Sequence, residues 1–191
     1  MKRVIIVHGW DGTPEEGWFP WLKKELEARG FQAIVPKLPD AETPSIEKWV
    51  PALAAAVGAV DEDTYFVGHS MGCQAIARFL EGLPQEQKAG GVVYVAGFFD
   101  SLMLSEDEEE EVWNKWKNAP LDLSRVRTQA PKSVAIFSDD DPYVPLSNQN
   151  DFKNKLGSEI IIEHGKNHFN ESSGYFELPI ALESVLKLAQ N

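Results

Sequence analysis

Three short stretches of this chain supply a hydroxyl, a carboxylate and an imidazole that could meet in one site. The first is Gly68-His69-Ser70-Met71-Gly72, a G-x-S-x-G pattern. The second runs from Ser138 to Leu146, SDDDPYVPL, with consecutive aspartates and two prolines. The third is Gly165-Lys166-Asn167-His168. A serine hydroxyl is a poor nucleophile until a neighbouring base removes its proton, and that base works best when a carboxylate orients it. Serine, acid and histidine in this chain order point to acyl transfer.

A bare G-x-S-x-G is common; its flanks decide its meaning. Tyr65-Phe66-Val67 reads as a strand, and Cys73 to Leu83, with Ile76, Ala77, Phe79 and Leu80, reads as a helix. That is the context of a nucleophile elbow, a sharp turn in which side chains at 68 and 72 would collide with the adjoining strand or helix. Of the histidines His8, His69, His164 and His168, His69 projects away from its neighbour Ser70 and suits a structural or pocket-lining role. His8 ends the first strand and shapes the loop after it, and His164 is close enough to the sixth strand to belong to its end. His168 lies past that strand in a glycine-containing loop that can reach Ser70, and is assigned as the base. The oxyanion formed during acyl transfer needs preorganised donors. The N–H of Met71 and, from the loop His8-Gly9-Trp10-Asp11-Gly12, the N–H of Trp10 are assigned to it.

Among the aspartates, Asp141 precedes Pro142, which restricts its backbone to extended conformations, and Pro145 stiffens the turn further. Asp141 is therefore the expected acid. Asp139 and Asp140 read as strand-end or turn residues that accept backbone hydrogen bonds. The competing reading is an acidic metal cluster, which would make the chain a metal-dependent phosphatase. The single-carboxylate reading needs no metal and no cofactor.

The elements that must position these residues follow from hydrophobic patterning. Apolar, β-branched runs at Arg3 to Val7, Gln32 to Pro36, Tyr65 to Val67, Gly91 to Val95, Ser133 to Phe137 and Glu159 to Ile162 read as about six strands, several covered on both faces. Helix candidates such as Trp18 to Ala28 and Ile46 to Val60 alternate with them. Thr13, Pro14, Glu15 and Glu16 read as the start signal of the first helix: an N-cap, a proline at the first helical position and a capping-box glutamate. Alternation of this kind predicts an α/β fold, a doubly wound parallel sheet that binds ligands beyond the carboxyl ends of its strands. One interval is too long for a simple crossover. Between Gly97 and Pro131 lie Trp113, Trp116 and an acidic run, with Ser105 and Glu108 at capping-box spacing. It reads either as a solvated helix with one apolar edge or as a small cap at about 98–118.

The chain has 191 residues, 43% apolar and 10% aromatic, without internal repeat or linker, which predicts one domain over 1–191. A net charge of −12 disfavours nucleic acid and anionic membranes as partners. The single cysteine, Cys73, excludes an intrachain disulfide and a cysteine zinc cluster. The amino-terminal apolar run, VIIV, is too short for a signal-peptide core, so a cytoplasmic location is expected.

With these residues in view, the stretches HGWDGTPEEGWFPWLKKEL, FVGHSMG, PLDLSRVRTQAPKSVAIFSDDDPYVPL and GKNHF resemble the α/β-hydrolases. More narrowly, they resemble the small group that includes retinoblastoma-binding protein 9 and the YdeN-like hydrolases. The resemblance implies a compact sheet of order 2-1-3-4-5-6 with helices on both faces. It also implies a serine hydrolase with Ser70 as nucleophile and His168 as base, and D-P-Y-V-P matches the family's acid at Asp141. No LxCxE-type sequence is present, because Cys73 lies between Gly72 and Gln74; the protein interaction behind the group's best-known name is not carried over, and a protein partner stays open. The expected reaction is cleavage of a small carboxylic ester, as in carboxylesterases, with Trp10, Trp18, Phe98 and Trp113 lining an apolar acyl pocket. Any of these aromatics would equally suit the core, and for Trp18, on a helix, core packing is the favoured role. A thioesterase, amidase or peptidase would use the same triad. An inactive scaffold serving as an interaction module is disfavoured by the retention of all three residues.

Overall fold

The computed structural model describes residues 1–104 and 107–190. The near-continuous apolar runs form a parallel sheet, β1 (Arg3–Val7), β2 (Gln32–Ile34), β3 (Thr64–His69), β4 (Gly91–Val95), β5 (Ser133–Ser138) and β6 (Glu159–Glu163), in the order β2-β1-β3-β4-β5-β6. Side chains alternate across it with the period of two that strands impose. Ile5, Val7, Phe66, Val92, Tyr94, Ala135 and Phe137 point to one buried face, and Val4, Ile6, Val67, Val93, Val95, Val134 and Ile136 to the other. Helices α1 (Phe19–Glu27) and α7 (Pro179–Ala189) cover the second face. The first is covered by α2 (Ile46–Val57), α3 (Met71–Glu81), α4 (Asp107–Asn118) and α5 (Leu123–Gln129), together with α6 (Gln149–Asp151) and the wider turn Phe152–Leu156 that continues it. This is the expected doubly wound α/β architecture with the expected strand order.

The first helix begins at Trp18, as its apolar pattern suggests, and not at the start signal upstream of it. Its N-cap is Trp18, with Pro20 in the first turn. Thr13 to Glu16 instead form a turn, with the Glu16 N–H donating to Thr13 O at 3.4 Å. The cause is Gly17, whose φ of 53° breaks helical continuity and whose N–H is taken by Glu171 Oε2 at 2.7 Å.

The long interval between β4 and β5 is packed against the core. Trp116 is fully buried, meets Trp49 edge-on at 6.0 Å and donates its indole N–H to Pro44 O at 2.9 Å. Arg78 of α3 donates to Trp116 O, Ala119 O and Pro120 O at 2.6, 3.2 and 3.0 Å, so a cation receives carbonyls that the end of α4 leaves unpaired. The capping box of Ser105 and Glu108 lies outside the described residues. Among the described residues no helix is long and apolar enough to cross a membrane.

Candidate active site

All the residues singled out for chemistry sit beyond the carboxyl ends of the strands. Ser70 follows β3 directly with φ 53° and ψ −122°, a backbone conformation that non-glycine residues adopt only under constraint. The flanking glycines make it possible. A Cβ at Gly72 would lie 2.4 Å from Val7 O, and one at Gly68 would lie 2.8 Å from Ile76 Cδ1. The elbow is thus wedged between β1 and its own helix, with Ser70 half-exposed at the tip.

The loop after β1 lies against that tip. The β1–β3 register pairs Val7 with Gly68, and a Cβ at Gly9 would touch Ser70 Cβ at 3.0 Å. His8 holds this loop from below: its Nε2 accepts from the Leu38 N–H at 3.1 Å, which leaves the proton on Nδ1, 2.9 Å from Gly9 O. Burial holds its pKa below the ordinary histidine value, so the ring stays neutral. The loop carrying Trp10 therefore lies beside Ser70, and among the described residues the backbone amides of Trp10 and Met71 donate to no turn, loop or cap acceptor.

The acid and the imidazole meet. His168 Nδ1 lies 2.8 Å from Asp141 Oδ2, with side chains only 10% and 2% exposed. The other Asp141 oxygen accepts from the N–H groups of Tyr143 and Val144 at 2.9 and 3.0 Å, in the turn that Pro142 begins. A carboxylate only accepts, so Nδ1 carries a ring proton, and in the neutral ring Nε2 is the nitrogen with the free lone pair. The neighbouring aspartates do not converge with Asp141. Asp139 takes His164 Nδ1 at 2.6 Å and the Gly165 N–H at 3.0 Å, while Asp140 takes Ser138 Oγ at 2.6 Å and the Asn167 N–H at 2.7 Å. Among the described residues no group of three or more His, Cys, Asp or Glu is placed to hold a metal ion.

His69 belongs to the buried structure. Its Nε2 donates to His168 O at 2.7 Å, its ring lies 4.9 Å from that of His168, and burial, with repulsion from His168, holds its pKa near 3. Cys73 is buried, and burial pushes its thiol far above the ordinary range, so it offers no competing nucleophile.

Two cavities are lined by both Ser70 and His168. The smaller, about 280 Å³, is lined by Trp10, Phe98, Leu102, Leu104 and Tyr143 together with the polar Asp11, Glu109 and Asn170. The larger, about 750 Å³, is lined on its acidic side by Asp11, Glu15, Glu16 and Glu171. Trp10 and Phe98 line the smaller cavity, and Leu102, Leu104 and Glu109 bring part of the 98–118 segment into its wall. Trp18 and Trp113 line neither cavity. Trp18 is 1% exposed and donates its indole N–H to Phe169 O at 2.8 Å; Trp113 stands behind Phe98, edge-on at 5.1 Å. Their bulk is used in packing. Sequence reasoning missed Leu102, Leu104 and Tyr143. Leu102 and Leu104 follow Phe98 in the long interval, and Tyr143 lies inside the D-P-Y-V-P turn, so closeness to residues already singled out was the available signal.

Comparison with known proteins agrees with this architecture. The serine hydrolase family model matches residues 4–187. YdeN of Bacillus subtilis (strain 168) is 35% identical over 183 residues, covering 95% of this chain and 93% of YdeN. The crystal structure of the B. subtilis ydeN gene product superposes with a TM-score of 0.92 at 32% identity over the whole of both chains. Serine hydrolase RBBP9 of Rattus norvegicus is 25% identical over 187 residues, 96% of this chain and 95% of that protein. With this sheet, this elbow and a family match over nearly its full length, the chain belongs to the serine hydrolase family and has the α/β-hydrolase fold.

Proposed function

We propose that the protein cleaves a small carboxylic ester through an acyl-enzyme, with Ser70 as nucleophile, His168 as general base and then acid, and Asp141 as the group that orients the imidazole. The observation that carries this reading is the buried His168–Asp141 pair at 2.8 Å, whose histidine faces the same two cavities as Ser70. Ser70 Oγ attacks the ester carbonyl while His168 Nε2 takes its proton. The oxyanion is received by the N–H groups of Trp10 and Met71. His168 returns the proton to the departing alkoxide, and a water deprotonated by the same ring then releases the acid. The smaller cavity suits a short acyl chain, because its volume is modest and Trp10, Phe98, Leu102, Leu104 and Tyr143 give it an apolar side. The larger cavity then takes the alcohol.

The test is a panel of p-nitrophenyl esters of increasing acyl length, acyl thioesters and aminoacyl amides, assayed on wild type and Ser70→Ala, with a fluorophosphonate probe alongside. Short acyl esters should turn over fastest, and Ser70→Ala should lose both turnover and labelling. A folded wild type that neither labels nor hydrolyses any of these would reject the enzyme reading and favour a scaffold role.

A further inference from the structure

The loop from His164 to Phe169 carries the base, yet its backbone is not one a free chain would choose. Gly165, Asn167 and Phe169 have φ of 65°, 49° and 54°. The latter two are non-glycine residues in a sparsely populated region, which persists only where surrounding structure imposes it. Within the loop, the Phe169 N–H donates to Lys166 O at 3.1 Å. The remaining support comes from side chains of other elements. On the β5 side, Asp139 takes the Gly165 N–H, Ser138 Oγ takes the Lys166 N–H at 2.9 Å, and Asp140 takes the Asn167 N–H at 2.7 Å. Ser138 in turn donates to Asp140 Oδ1, so two successive loop amides are held by one linked pair. On the opposite side, His69 donates to His168 O at 2.7 Å and Trp18 to Phe169 O at 2.8 Å.

We propose that Ser138 and Asp140, with His69 and Trp18 opposite them, are positioning residues that clamp the 164–169 loop from both sides and so hold the His168 ring in register with Ser70. The role rests on the catalytic reading above and deepens it. The clamp explains why a buried tryptophan and a buried neutral histidine each spend their single N–H on this loop. It also gives Asp140, next to Asp141 in sequence, a task distinct from that of the triad acid.

Asp140 is the sharpest place to test it, since its side chain is exposed and its removal leaves the core intact. Asp140→Ala deletes the acceptor, whereas Asp140→Asn keeps an oxygen there. Two readouts are needed: amide hydrogen exchange at Lys166 and Asn167, and steady-state kinetics with p-nitrophenyl acetate. In Asp140→Ala both amides should exchange faster, and kcat should fall about tenfold to hundredfold with KM nearly unchanged, as expected when a reacting group is displaced by about an ångström. Asp140→Asn should restore most of both. Unchanged exchange in Asp140→Ala would remove the clamp, and faster exchange with unchanged kcat would remove its positioning role. An asparagine no better than alanine would overturn the argument from the hydrogen bond. Wild type and Ser70→Ala are compared first. If they turn over equally, the serine mechanism fails by itself and the positioning role falls with it.

Discussion

Asp141 differs from its two neighbours in burial and in partner: its carboxylate is enclosed and bound to His168 Nδ1, while Asp139 and Asp140 are exposed at the rim. Replacing it with asparagine keeps the volume but removes the charge that stabilises an imidazolium and fixes the ring tautomer. Asp141→Asn should therefore fold and lose about 10³ to 10⁴ in kcat. Asp139→Asn keeps an oxygen for the Gly165 N–H and should lose less than about tenfold. Turnover of p-nitrophenyl acetate, with thermal midpoints as a folding control, checks both; the reverse ranking would reassign the acid. Asp141 was legible in the sequence because a following proline constrains it locally. The bonds from Asp139 and Asp140 to the histidine loop were not, because they depend on the β5–β6 register that sets Ser138 beside Glu163. That Trp18 and Trp113 pack in the core and line neither cavity was not settled by the sequence, for a related reason. An aromatic side chain has the same composition signal in a core as in a pocket, and only its direction separates the two.

The elbow is an assembly of a strand, a turn and a helix, and its tolerance to one added methyl group differs sharply along α3. At Gly72 a Cβ would meet Val7 O at 2.4 Å and His8 O at 2.6 Å, both backbone atoms of β1 and the loop that follows it. Neither can give way cheaply, so Gly72→Ala should cost about 3 kcal/mol of stability or more. At Gly82, where φ is −76° and the nearest atom to an added Cβ is Phe79 O at 3.5 Å, alanine should be neutral or stabilise by about 0.5 kcal/mol. Urea unfolding of the two variants measures the contrast, and equal effects would mean that the wedge against β1 carries no weight. Elements were legible where patterning is local. The runs at Arg3–Val7 and Gly91–Val95 became strands with those very bounds, because unbroken β-branched sequence covered on both faces has few alternatives. The upstream start signal read for α1 was not borne out. Thr13 to Glu16 carries a helix-start pattern, but a tertiary bond from Glu171 to the Gly17 N–H holds the chain in a turn there.

At the scale of the whole molecule, the net acidic charge extends into both cavities beside Ser70. The chain carries 30 acidic residues against 18 Lys and Arg, and among the described residues neither cavity beside Ser70 has a Lys or Arg in its lining. The protein's own carboxyls register the resulting field. Glu16 is pushed above the usual carboxylate range first by burial and then by Glu171 and Asp11, and Asp11 is raised first by burial and then by Glu42 and Glu109. An anionic substrate faces the same repulsion. A carboxylate about 8 Å away through a water-like medium costs about 0.5 kcal/mol, and several around one opening together cost about 1.5 kcal/mol, near a tenfold loss in kcat/KM. The p-nitrophenyl monoester of succinic acid, which carries one negative charge, should therefore react about tenfold less efficiently than neutral p-nitrophenyl butyrate at low salt. The gap should narrow as salt is raised, since the screening length falls from about 30 Å at 0.01 M to about 3 Å at 1 M. Glu16→Gln, which removes one charge from the lining, should improve the anionic ester and leave the neutral one unchanged. Chain length and shape are closely matched between the two esters, so a salt-independent ratio would mean that the acidic lining does not select substrate.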